Sequence, residues 1–209
     1  MRIVLDAMGT DQAPSAEVAG AIASIRLESN SDVEIILVGD EGLIHAELAK
    51  HNQVPERIVV QHAPERVTVK DPPASVIRRK PESSIVTGLK LQKEGAADAF
   101  VSAGSTGAVM ACSLFALRPL PGVERPPVGT LLPTAGELCL LLDAGANIGC
   151  KPRHLLQFAH LGTTYMRNVM DRLSPRVGLL NIGEEPGKGD ELSVATFELL
   201  QRDPGLNFI

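Results

Sequence analysis

Residues 100–117 read FVSAGSTGAVMACSLFAL. A short apolar run ends at Ser102, a glycine-bearing turn follows, and an apolar helix pattern runs from Thr106 to Leu117. Ser105 or Thr106 stands where a helix N-cap belongs. Pro119 and Pro121 stop the helix. The same grammar recurs outward in both directions. Residues 2–6 predict a strand before the turn Ala7-Met8-Gly9-Thr10-Asp11, and residues 15–27 a helix entered through Pro14. Residues 33–38 predict a strand ending at Gly39-Asp40, and residues 41–50 a helix with Leu43, Ile44 and Leu48 at core spacing. Residues 57–61, 138–143 and 177–182 read as further strands. Residues 154–173 and 192–201 read as helices, and residues 206–209 as the start of a strand. This alternation argues for an α/β fold, a layered and mostly parallel sheet with helices on both faces, in one domain over residues 1–209. Right-handed crossovers place the strand C-termini on one edge, where open sheets of this kind bind ligands.

The composition agrees. The 209 residues are 44% hydrophobic but only 3% aromatic, so the core is built from Leu, Val, Ile and Ala. Such residues suit strands buried on both faces. A net charge of −5 argues against nucleic acid as a partner. The cysteines, Cys112, Cys139 and Cys150, lack framework spacing and read as reduced residues of a cytoplasmic protein. No signal peptide opens the sequence, and its longest apolar run is strand-sized.

The distinctive residues cluster at strand ends. Besides 102–108, these are Asp6 to Asp11, Asp143-Ala144-Gly145-Ala146-Asn147, and Asn181 to Gly189 with Glu184, Glu185 and Lys188. Glycine lets backbone approach a ligand, and a helix N-terminus offers free N–H groups to an anion. An ordinary capped turn has the same appearance, and no P-loop or G-x-G-x-x-G fingerprint is present. Arg78-Arg79-Lys80, followed by Ser83-Ser84, can meet a phosphate or an acidic protein, or can be a solvated charged loop. Lys188 sits between glycines and can reach an oxyanion, or can be a surface lysine. The histidines show no metal-ligand spacing, and no Ser-His-Asp order or nucleophile elbow is evident.

Together these runs resemble the PlsX family of phosphate acyltransferases. LDAMGTDQAP (5–14) is similar to its DAMGGDxAP opening, RRKPESS (78–84) to its basic-plus-serine segment, and SAGSTGA (102–108) to its SAGNTGA loop. LLDAGANIGCKPRHLLQFAHLG (141–162), SPRVGLLNIGEEPGKGDEL (174–192) and LNFI (206–209) follow in order. The resemblance implies a fold similar to phosphotransacetylases and isocitrate-type dehydrogenases, a homodimer, and no cofactor or metal. It implies conversion of acyl-[acyl carrier protein] and inorganic phosphate to acyl-phosphate and free carrier protein, for phospholipid synthesis.

Phosphate is itself the nucleophile, so the protein must position it and stabilise the tetrahedral oxyanion. Phosphate binding is assigned to Ser102, Gly104, Ser105, Thr106 and Gly107. Catalytic contact falls to Lys188 and Asn147, and carrier-protein or phosphate contact to Arg78, Arg79 and Lys80. Asp6 and Asp11 orient loops. Thr10, Gln12 and Ser105 stand where the family usually has Gly, His and Asn, and a β-branched Thr10 is penalised if that position needs positive φ. Family members continue past residue 209, so the chain reads as a portion of a longer domain. The absent part would carry peripheral membrane contact. Acyl transfer from coenzyme A and non-catalytic binding of phosphate or carrier protein stay open as alternatives. A nicotinamide-dependent decarboxylating dehydrogenase would need clustered acidic metal ligands that the sequence lacks.

Overall fold

The computed structural model describes residues 1–27, 32–183, 185 and 187–209. They form two compact units, Met1–Arg118 and Pro119–Ile209.

The first unit is built on a parallel sheet. β1 (Arg2–Asp6) pairs with β2 (Glu34–Gly39) and with β4 (Ala99–Val101), and β2 pairs with β3 (Ile58–His62), in the order β3-β2-β1-β4. The side chains of β2 alternate between two apolar layers, as the two-residue period of a strand requires. Ile35 and Leu37 pack with Val18, Ile22 and Ile25 of α1 (Ser15–Ile25) and with Ile44 and Leu48 of α2 (Glu41–Leu48). Ile36 and Val38 point the other way, into a layer with Val4, Ala63 and Ala97. A short 3-10 turn (Pro73–Ser75) leads into α3 (Val76–Arg79), and α4 (Ser84–Lys93) follows. Ile85 and Leu89 of α4 pack on Ala108 and Cys112 of α5 (Thr106–Ala116). The expected mostly parallel sheet with helices on both faces is what forms. Leu37 is fully buried, and truncating such a residue to alanine costs about 2–5 kcal/mol.

In the second unit, β5 (Thr130–Leu132) and β6 (Cys139–Leu141) form an antiparallel pair with Leu131 opposite Leu140. Only a short link joins them, and a parallel crossover needs a dozen residues or more. α6 (Pro152–Asn168) packs against α7 (Glu191–Arg202). β7 (Arg176–Val177) pairs in parallel with β8 (Asn207–Phe208), and Phe197 meets Phe208 edge-to-face at 5.5 Å.

Several bounds shift by a residue or two from the sequence pattern, and three elements depart furthest. The predicted strand over 177–182 is replaced by a pairing at Arg176–Val177 alone, and Leu180 and Ile182 are exposed. The helix predicted over 154–173 starts earlier, at Pro152, and ends at Asn168. Asp171 beyond it is left-handed at φ 54, and the Arg172 N–H closes on the Met166 carbonyl at 2.9 Å. The strand predicted over 138–143 is confined to Cys139–Leu141.

Candidate functional site

In the first unit, the turns after β1 and β4 meet at the C-terminal edge of the sheet. Asp6 ends β1 and is almost wholly buried. Its Oδ2 accepts the Ser102 hydroxyl at 2.6 Å, and its Oδ1 accepts the Met8 N–H at 3.0 Å. Ser102 Oγ in turn accepts the Gly104 N–H at 3.0 Å. A Cβ on Gly9 would stand 2.8 Å from the Gly104 nitrogen, so the two backbones touch only because position 9 is glycine.

Ser105 caps α5, its Oγ accepting from the Ala108 N–H at 3.4 Å. The N–H groups of Thr106 and Gly107, at the first turn, have no partner within the helix. The Thr106 side chain is exposed. Sheet edge, tight turn and helix N-terminus thus bring Ser102, Gly104, Ser105, Thr106 and Gly107 onto one loop, in which the Ser102 hydroxyl hydrogen goes to Asp6 and the Gly104 N–H to Ser102.

Asp6 has the loop-orienting contacts expected of it. Asp11 is exposed and has no hydrogen bond to the other described residues. Arg66, which no motif singles out, holds the same turn. Its Nε donates to the Met8 carbonyl at 3.1 Å and its Nη2 to the Thr10 carbonyl at 2.6 Å. Glu17 of α1 accepts the Thr10 N–H at 2.8 Å. Among the described residues, the non-glycine ones at positive φ are Arg118 and Asp171, so Thr10 carries no such strain.

The basic cluster divides. Arg78 and Arg79 are exposed at the end of α3, with no hydrogen bond or ion pair to the other described residues. Lys80 is committed: Nζ pairs with Asp71 Oδ2 at 2.7 Å and donates to the Arg66 carbonyl at 2.7 Å. The Lys80 hydrogen bond, with those from the Thr68 N–H and hydroxyl, lowers the Asp71 carboxyl to about 2. Burial raises the Cys112 thiol to about 11.

In the second unit, Asp143 organises the turn that carries Asn147. Its Oδ1 accepts the Val128 N–H and its Oδ2 the Asn147 N–H, each at 2.7 Å. The Asn147 side chain donates to the Pro126 carbonyl at 3.1 Å. Lys188 lies on the loop before α7, and Glu184 lies outside the described residues. The Lys188 ammonium is 3.8 Å from Glu185 and 58% exposed, a loose pair that leaves it available to an anion. Its carbonyl accepts from Asn181 Nδ2 at 2.7 Å, which fixes the backbone. Gly189, the next residue, lines a cleft of 590 Å³ with Pro152, Asp190, Val194 and Leu199, where α6 and α7 begin. Asp190 caps α7, and its bonds to Ser193 hold its carboxyl below the usual range.

Among the described residues, no three His, Cys, Asp or Glu side chains are grouped to hold a metal, and no helix is long and apolar enough to cross a membrane.

The fold defines a class, α/β proteins that share the fold of solved phosphotransacetylases. EutD phosphotransacetylase from Staphylococcus aureus superposes with a TM-score of 0.69 at 20% identity, over all of this chain and 67% of that one. A phosphotransacetylase from Streptococcus pyogenes gives 0.70 at 19%, with the same coverage. Within that class the chain belongs to the fatty acid synthesis protein family, whose model matches residues 1–209. It is 46% identical to the phosphate acyltransferase of Salinibacter ruber and 50% identical to that of Herpetosiphon aurantiacus, over its whole length. It spans 62% and 56% of those two relatives. The resemblance read from the motifs is borne out.

Proposed function

We propose that this chain carries the phosphate-handling part of a phosphate acyltransferase, which makes acyl-phosphate from an acyl thioester of acyl carrier protein and inorganic phosphate. The observation that carries the reading is full-length identity of 46–50% to relatives named phosphate acyltransferase. The anion-receptive turn at the start of α5 supports it.

A phosphate oxygen attacks the thioester carbon, and a tetrahedral oxyanion forms. It collapses with cleavage of the C–S bond, the thiolate leaves on the carrier, and solvent supplies its proton. No protein nucleophile is consumed. The first-turn N–H groups of α5 and the Thr106 hydroxyl hold phosphate. Ser102 acts one step back, since its only hydrogen is given to Asp6. The developing charge is assigned to Lys188 and Asn147 on residue type and motif alone. Arg78 and Arg79 meet the acidic carrier protein, and the working form is a homodimer in the cytoplasm serving phospholipid synthesis.

The test is hydroxylamine trapping of acyl-phosphate from acyl-carrier protein and phosphate, with acyl-coenzyme A in parallel, for wild type and Lys188→Ala. Turnover from the carrier-protein thioester, at least about 100-fold lower in the variant, is expected from the loss of one oxyanion contact. Turnover from acyl-coenzyme A alone would refute the carrier assignment. Undiminished turnover in Lys188→Ala would remove that residue from the site.

A further inference from the structure

We propose that Glu124 and His154 are positioning residues for Asn147, acting through the proline-bearing loop 122–128. The proposal rests on Asn147 lying at the reacting centre, as read above.

His154 occupies the first turn of α6 and is buried. Its Nδ1 accepts the Lys151 N–H at 3.1 Å, an orphan donor at the helix start. An accepting Nδ1 carries no hydrogen, so the proton of the neutral ring is on Nε2. That N–H points to Glu124 Oε2 at 3.1 Å. Arg153 reaches the same oxygen at 2.8 Å. One helical turn on, Gln157 takes the Glu124 N–H at 3.1 Å and donates to the Gly122 carbonyl at 3.0 Å. Three side chains of one helix end therefore fix both the backbone and the carboxylate of Glu124. Partial burial works against the charge on Glu124, but the His154 hydrogen bond and the Arg153 charge outweigh it and lower the carboxyl.

The far side of the same loop grips the Asn147 turn. Arg125 donates to the Ile148 carbonyl at 3.0 Å, the Pro126 carbonyl receives the Asn147 amide, and Val128 shares Asp143 with the Asn147 backbone. Glu124 thus joins the start of α6 to the turn that carries Asn147. A buried His and a half-exposed Glu with no substrate-facing role are otherwise unexplained by the acyl-transfer chemistry.

The experiment compares Glu124→Ala and Glu124→Gln in the full-length protein, by amide hydrogen exchange at Asn147 and Val128 and by phosphate saturation kinetics. Glu124→Gln keeps an oxygen that accepts from His154. Small misplacement of a reacting group costs about 10- to 100-fold in rate, so Glu124→Ala is expected to lose that much kcat with KM for phosphate little changed. Exchange at Asn147 should speed up in parallel, and Glu124→Gln should restore most of both. Unchanged exchange at Asn147 in a folded Glu124→Ala protein would overturn the proposal. So would a fall in kcat without faster exchange, or a Glu124→Gln protein no better than Glu124→Ala. If Glu124→Ala does not fold, Glu124→Asp, which withdraws the carboxylate by one methylene, is read by the same criteria. Exchange is informative even if wild type makes no acyl-phosphate, a result that would sink the acyl-transfer reading instead.

Discussion

The Asp6 carboxylate accepts the Ser102 hydroxyl at 2.6 Å, joining residues 96 positions apart. Both Asp6 oxygens are used, and Ser102 relays the bond to the Gly104 N–H. Ser102→Ala removes a donor from a buried carboxylate and an acceptor from a backbone N–H. Leaving buried groups unpaired costs about 1–3 kcal/mol, which chemical denaturation of the variant should show. Asp6→Asn should cost a comparable amount, since an amide offers one acceptor oxygen where two donors converge.

Two glycines should respond in opposite directions to alanine. At Gly9 the added Cβ meets the Gly104 nitrogen at 2.8 Å and the Ala103 carbonyl carbon at 3.2 Å, backbone atoms that cannot swing away. Gly9→Ala should part the two turns and lower stability by about 1–3 kcal/mol, as overpacking does. Gly20, inside α1, has nothing within 4 Å of its added Cβ. Gly20→Ala should raise stability by about 0.5–1 kcal/mol through helix propensity alone. Thermal melts of both variants beside wild type give the comparison.

What the sequence revealed and what it hid follow from the range of the interactions involved. The strands β1 to β4 were legible because each is a compact apolar run closed by glycine or a polar cap. The cap at Ser105 was legible because it lies three residues from the N–H it receives. The commitment of Lys80 was not, because Asp71 lies nine residues away across a turn whose path only the fold determines. His154 has no ligand spacing to mark it, and its partner Glu124 is 30 residues distant.

Asp71 makes stability depend on pH in a defined direction. Its carboxyl falls from the ordinary 3.8 to about 2 in the folded chain, chiefly through the Lys80 hydrogen bond. A depressed carboxyl means that the unfolded chain takes up the proton first. The stabilising contribution is therefore complete above about pH 4 and fades as pH falls towards 2. Lys80→Met should lower stability at neutral pH and flatten the decline across that acid window. Denaturation midpoints measured from pH 2 to pH 6 for both proteins would show it, and parallel curves would assign the acid sensitivity elsewhere.

The turn before α5 assigns different work to its two adjacent hydroxyls. Ser105 Oγ accepts the Ala108 N–H, a long bond at 3.4 Å. Ser105→Ala should therefore act mainly on stability, by about 1 kcal/mol or less, as a weak cap does. Thr106 opens the helix with its side chain exposed. Thr106→Val keeps the branched shape and removes only the hydroxyl. A hydrogen bond to a charged group contributes about 1.5–3 kcal/mol, so KM for phosphate should rise roughly 10- to 100-fold while the melting temperature holds. Phosphate saturation curves with parallel melts separate the two residues. A larger KM effect from Ser105→Ala would transfer the phosphate contact to Ser105, whose hydroxyl hydrogen can donate while its Oγ accepts the Ala108 N–H.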